Sequence, residues 1–102
     1  MKILLICNGG MSSSMLMSKM KDAAVRSGKE VMIEAVPNTG LEDQAGRFDV
    51  CLVGPQIIYA IESIRQTLGI PVASVETRTY AMADGERALE QAEKLLAENN
   101  HG

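Results

Sequence analysis

Tryptophan is absent from this chain of 102 residues, and aromatic side chains make up only 3% of it. The interior must therefore be filled by aliphatic side chains, methionine and alanine. There is no basic stripe and no set of aromatics that could stack on bases, and the formal net charge is −3, so no nucleic-acid partner is expected. No apolar run approaches the roughly 20 residues that cross a bilayer, so no direct membrane insertion is expected. The N-terminus offers one lysine and a short apolar run ending in Cys7-Asn8-Gly9-Gly10, a poor signal peptide. Two cysteines make no disulfide framework and point to free thiols in a reducing compartment, the cytoplasm. Internal repeats and low-complexity segments are also missing.

What is present alternates between strand and helix. Lys2 to Ile6 is a continuous apolar run, the pattern of a parallel strand buried on both faces. A helix is predicted from about Ser13 to Ser27, with Leu16, Met20, Ala23 and Ala24 on its inner face and Asp22 and Arg26 spaced as an ion pair. Glu30 to Val36 reads as a second strand, and Thr39 as the cap of a short polar helix over Gly40 to Ala45. Asp49 to Val53 is a third strand. Pro55 suits the first position of a helix whose apolar stripe is Ile57, Ile58, Ile61, Ile64 and Leu68. Pro71 to Val75 is a fourth strand, followed by a loop carrying Arg78, Thr79 and Tyr80. Asp84 can start a final helix with Ala88, Leu89, Ala92, Leu95 and Leu96 turned inward and Glu90, Glu93 and Lys94 solvated. Residues 1–98 are expected to fold as one domain, with 99–102 as a tail.

This alternation predicts an α/β fold with a central four-stranded parallel sheet. Right-handed crossovers leave few arrangements, and the order 2-1-3-4 is the one expected. The chain then reverses direction across the sheet after strand 1, so a ligand is expected in the crevice between the ends of strands 1 and 3. Cys7 forms one lip of that crevice and Gly54-Pro55-Gln56 the other.

The run Cys7-Asn8-Gly9-Gly10-Met11-Ser12-Ser13-Ser14 places a thiol between a strand and the start of a helix. Two glycines allow a tight curl, unpaired helix N–H groups can converge on an anion, and three serine hydroxyls add donors. A helix N-terminus favours an anion, whether a thiolate or a phosphoryl group carried on sulfur. The same residues are also ordinary turn and cap residues, and a cysteine at a strand end is often just a small hydrophobe. Known phosphate motifs narrow the choice. The nucleotide P-loop needs a lysine after its glycines, and none occurs before Lys19; the dinucleotide pattern G-x-G-x-x-G is absent. In the phosphatase pattern an arginine follows the cysteine after five residues, and here Ser13 stands in its place. That arginine would clamp and stabilise the phosphoryl group during hydrolysis. A loop of neutral donors can accept phosphate without promoting attack by water, which suits a relay.

The string KILLICNGGMSSSML resembles the phosphocysteine loop of the enzyme IIB component of the bacterial sugar phosphotransferase system, lactose/cellobiose/chitobiose type. VGPQI at Val53 to Ile57 is similar to the same family, and length and element order match over nearly the whole chain. The resemblance implies a single type-3 IIB domain over 1–102, with helices on both faces of the sheet and a fold similar to the small tyrosine phosphatases. It implies that Cys7 accepts phosphate from a phosphohistidine of a IIA protein and passes it to a sugar bound by a membrane IIC permease. Asn8, Gly9, Gly10, Met11, Ser12, Ser13 and Ser14 would then cradle the phosphate. No metal or dissociable cofactor is implied, and the protein is expected to be monomeric on its own. Two other readings of the residues stay open, a small cysteine phosphatase or arsenate reductase, and a non-enzymatic module that senses phosphorylation.

The remaining candidates are secondary. Gln56 can donate its amide to a phosphate or simply cap a helix, and Tyr80 with Arg78 and Thr79 can border the site or lie in a plain surface loop. Cys51, flanked by apolar residues, reads as a buried core thiol. His101, the single histidine, lies in the tail, so a phosphohistidine donor must come from a partner. Met15, Met17 and Met20 read as core, and Met11 as an adaptable contact exposed on the loop.

Overall fold

Ile3, Leu4, Leu5 and Ile6 have no solvent exposure, a condition that requires cover on both faces of a strand. The computed structural model describes residues 1–7 and 11–99, and only the backbone of 11–13. Strand β1 (Lys2–Ile6) leads to helix α1 (Met11–Arg26), strand β2 (Met32–Val36), a 3-10 turn (Leu41–Gln44) and strand β3 (Val50–Val53). A 3-10 segment (Pro55–Ala60) then enters α2 (Ile61–Leu68), followed by β4 (Val72–Ser74), the short α3 (Thr77–Ala81) and α4 (Gly85–Asn99). The four strands are parallel and ordered β2-β1-β3-β4, the order expected.

Period-2 alternation along β1 sorts its side chains onto two cores. Ile3 and Leu5 join Leu16, Met20, Ala23 and Ala24 of α1 and Ala88, Leu89 and Ala92 of α4 on one face. Leu4 and Ile6 join Phe48, Ile57, and Ile64 and Leu68 of α2 on the other. Each such side chain contributes roughly 1.5–3 kcal/mol on burial, and β3 adds Val50 and Leu52 to the first core and Cys51 and Val53 to the second. Gly69 closes α2 in the left-handed region, φ 69°, its N–H donating to the Arg65 carbonyl at 2.8 Å. Asp84 caps α4 as expected, its Oδ1 accepting from the Arg87 N–H at 3.2 Å.

Several expectations are corrected. The helix after Pro55 is not continuous: non-helical torsions at Ile57 (φ −119°) separate the 3-10 segment from α2. The i, i+4 stripe therefore breaks, and Ile58 is 57% exposed while Ile57 is buried. The turn after Thr39 has Gly40 at its cap position and no side-chain cap bond. Arg78, Thr79 and Tyr80 lie in α3, a helix of five residues rather than a loop, and Thr79 is buried. Arg26 pairs across to Glu86 of α4 at 3.4 Å rather than with Asp22, and Glu93 binds Lys29 at 2.8 Å. Met15 is 57% exposed, not core. Strands β2 to β4 are each shorter than read, and α4 runs on through Asn99, whose Nδ2 donates to the Leu95 carbonyl. His101 lies outside the described residues.

The two helices on the first face meet closely because Gly85 opens α4. A Cβ there would overlap the backbone carbonyl of Lys19 and the amide of Met20 in α1. Backbone atoms inside a packed helix cannot swing aside, so Gly85→Ala should destabilise the protein by about 3 kcal/mol, the upper range for overpacking. Urea denaturation checks this against Glu86→Ala, which removes an exposed ion pair and should cost less than about 1 kcal/mol. Equal midpoints for the two variants would refute the close approach.

Candidate active site

The register of the two central strands brings the crevice residues together. Ile6 pairs with Val53, and the Gly54 N–H donates to the Ile6 carbonyl at 2.9 Å, so the residues that follow, Cys7 and Gly54, lie side by side. On its other flank Cys7 donates its N–H to the Val36 carbonyl at 3.4 Å, extending the β1–β2 ladder by one residue. Cys7 is buried, 3% exposed, at the carboxyl end of an inner strand. The chain leaves β1 there for a helix on one face and leaves β3 for a helix on the other, which is the switch point where α/β sheets bind ligands.

Gly54 reports what surrounds this point. A Cβ built on it would lie 2.8 Å from Gln56 Oε1, 3.5 Å from Cys7 Cβ and 3.6 Å from Tyr80 Cε1. The structure thus gathers Cys7, Gln56 and Tyr80 from three separate segments around one small residue. Tyr80 reaches the crevice because α3 starts directly behind β4, with the Tyr80 N–H donating to the Glu76 carbonyl at 2.9 Å. The three described side chains nearest that point, those of Gln56, Cys7 and Tyr80, are not cationic, and Arg78 on the same short helix as Tyr80 is exposed.

The remaining site candidates divide by position. Asn8, Gly9 and Gly10 lie outside the described residues. Met11, Ser12, Ser13 and Ser14 form the first turn of α1, which begins two residues earlier than the spacing predicts; Ser14 is exposed. Gln56 stands on the 3-10 segment with its side chain exposed. Sequence reasoning overlooked the steric part played by Gly54. The signal was available: a residue before proline is held extended, where glycine has no conformational advantage.

Fold and crevice define a small doubly wound α/β protein with a cysteine at its switch point. Residues 2–91 match the family described as PTS system, lactose/cellobiose-specific IIB subunit, and the chain belongs to that family. It is 37% identical over 98 residues to the oligo-beta-mannoside-specific EIIB component of Bacillus subtilis (strain 168), covering 93% of this chain and 95% of that one. It is 33% identical to the galactose-specific EIIB component of Lactococcus lactis subsp. cremoris (strain MG1363), over 92% of this chain and 94% of the other. Among solved structures, the cellobiose-specific phosphotransferase IIB component of Borrelia burgdorferi superposes with a TM-score of 0.81 at 35% identity, covering 96% of this chain and 93% of that one. The lactose-specific IIB component domain of Streptococcus pneumoniae shares the fold, with a TM-score of 0.78 at 19% identity over 92% of this chain and 95% of that one. The protein is thus a IIB component of a sugar-uptake phosphotransferase system, a kind of component that works with IIA and IIC partners. Among the described residues no helix is long and apolar enough to cross a membrane.

The second thiol sits in a different environment. Cys51 is wholly buried, paired in register with Leu4 and Val72, and its Sγ lies 3.9 Å from the Leu52 carbonyl oxygen. Burial pushes its pKa up from the ordinary 9.0 to about 12, so at neutral pH it is a protonated, inert thiol. The folded state holds this proton where the unfolded chain releases it. The stability it contributes is therefore complete below pH 9.0 and is lost as pH rises from there towards about 12. Relative to Cys51→Val, the wild-type protein should lose stability in that window with a slope of up to ~1.4 kcal/mol per pH unit. Urea denaturation from pH 9 upward measures it, and parallel curves for the two proteins would contradict the assignment.

Proposed function

We propose that Cys7 carries the phosphoryl group of this IIB component. The observation behind this reading is the position of Cys7: a thiol ending an inner strand at the switch-point crevice, with α1 beginning at Met11. Sixteen residues of α1 present an N-terminal end whose unpaired N–H groups suit an anion, and Met11 to Ser14 supply its first turn. Asn8, Gly9 and Gly10 complete the proposed cradle between the thiol and that turn.

The relay has two balanced steps. In the first, Cys7 sulfur attacks the phosphorus of a phosphohistidine on IIA. The S–P bond forms, the P–N bond breaks, and the thiol proton ends on the released imidazole. In the second, a hydroxyl of a sugar held by the membrane IIC permease attacks the same phosphorus. The O–P bond forms, the S–P bond breaks, and the hydroxyl proton returns to the sulfur. Binding and orientation carry both steps, with neutral donors around the transferred group. Sugar choice falls to IIC, in keeping with relatives of similar identity named for oligo-beta-mannoside, galactose and cellobiose.

The absence of an arginine at Ser13 supports transfer over hydrolysis. An arginine clamp stabilises the metaphosphate-like group for any nucleophile, water included. The cytoplasm is the compartment in which such a carrier meets IIA and the inner face of IIC.

Incubation with a IIA protein carrying radiolabelled phosphohistidine tests the assignment. Cys7→Ser should take up no label, Cys51→Ser should label like the wild type, and iodine should release the label as expected for a thiophosphate ester. Label retained by Cys7→Ser, or resistant to iodine, would move the acceptor elsewhere. Ser13→Arg restores the phosphatase spacing and should shorten the phosphocysteine lifetime by about a hundredfold, the lower end of the range for one electrostatic stabiliser. An unchanged or longer lifetime would undercut the part assigned to the missing arginine.

A further inference from the structure

We propose that Gly54 is a positioning residue for phosphoryl transfer, and that its missing side chain is what allows the Gln56 carboxamide to lie over Gly54, the residue that flanks Cys7. The inference rests on the reading of Cys7 as phosphoryl carrier. Backbone conformation does not call for glycine here. Gly54 has φ −64° and ψ 148°, an ordinary extended conformation open to any residue and the one preferred before Pro55. Glycine at such a site sacrifices stability relative to alanine, because the unfolded chain has more freedom to lose. Its use here therefore calls for a steric reason.

That reason lies in what a Cβ would meet. The distances to Cys7 Cβ and Tyr80 Cε1, 3.5 and 3.6 Å, are ordinary van der Waals contacts. The 2.8 Å approach to Gln56 Oε1 is not, and one of the two groups must give way. Gly54 cannot, because its N–H donates to the Ile6 carbonyl at 2.9 Å and its own carbonyl accepts from the Ile57 N–H at 3.1 Å. The Gln56 side chain can, being the exposed end of a flexible chain. A methyl group on Gly54 would thus leave the fold intact and evict the carboxamide from its place over Gly54, at the edge of the Cys7 crevice. A carboxamide carries two N–H donors and an acceptor, a suitable neutral partner for a phosphoryl oxygen on the neighbouring sulfur.

The test is a double-mutant cycle on the rate at which the full chain takes up label from IIA bearing radiolabelled phosphohistidine, with melting temperatures measured alongside. Gly54→Ala and Gln56→Ala should each slow labelling on the order of tenfold, the effect of one lost hydrogen bond to a charged group. The double variant should be no slower than either single one, and Gly54→Ala should melt at or above the wild-type temperature. Wild-type rates in Gly54→Ala, losses that multiply in the double variant, or a lowered melting temperature in Gly54→Ala would each overturn the inference. Mapping the labelled residue keeps the two ideas apart. Label on Cys7 with an unaltered Gly54→Ala rate defeats only the positioning role, whereas label on another residue defeats the carrier assignment itself.

Discussion

β1 is hydrogen-bonded along both edges, to β2 on one side and to β3 on the other, in continuous parallel register. This double pairing is the constraint on which the remaining structure depends. A strand paired on both edges and covered on both faces cannot slip by one residue without turning its whole apolar set to the wrong core. Ile3 and Leu5 are committed to the layer of α1 and α4, and Leu4 and Ile6 to the layer of α2. Because β1 cannot slide, the residue that follows it is fixed in space as well. Cys7 inherits its position from the register of four aliphatic side chains.

The same sheet holds two thiols in opposite circumstances. Cys51 sits midway along β3, inside the aliphatic core, where burial keeps it protonated and unreactive. Cys7 sits where the ladder ends and the chain turns towards α1. Identical side chains thus occupy different places, one within a strand and the other just beyond the end of another. Around Cys7 the fold assembles Gly54 after β3, Gln56 on the 3-10 segment and Tyr80 on α3, none of them cationic.

Much of this was legible in the residues. The apolar runs at Ile3–Ile6 and Val50–Val53 read as buried strands, since no water-facing position interrupts them. Their alternation with amphipathic segments left few topologies, and the observed order is the one that puts the chain reversal at Cys7. Ile58 and Tyr80 show where such reading stops. A 3-10 segment and a five-residue helix are too short to establish a period, and both form because of what they pack against. Arg26 is a similar case, since its partner Glu86 comes from a helix distant in sequence.

By itself, then, the sequence determined the class of fold, the order of the strands, the family and the thiol at the end of β1. The fold class follows from local periodicity, the strand order from the few arrangements that right-handed crossovers leave, and the family from two short strings of residues together with length and element order. Only the tertiary structure decided which distant residues share the crevice with Cys7, and that Gly54 is glycine for space rather than for conformation. Proximity of that kind is set by register, by the kink at Ile57 and by the docking of α3, and none of these leaves a periodic trace in the chain.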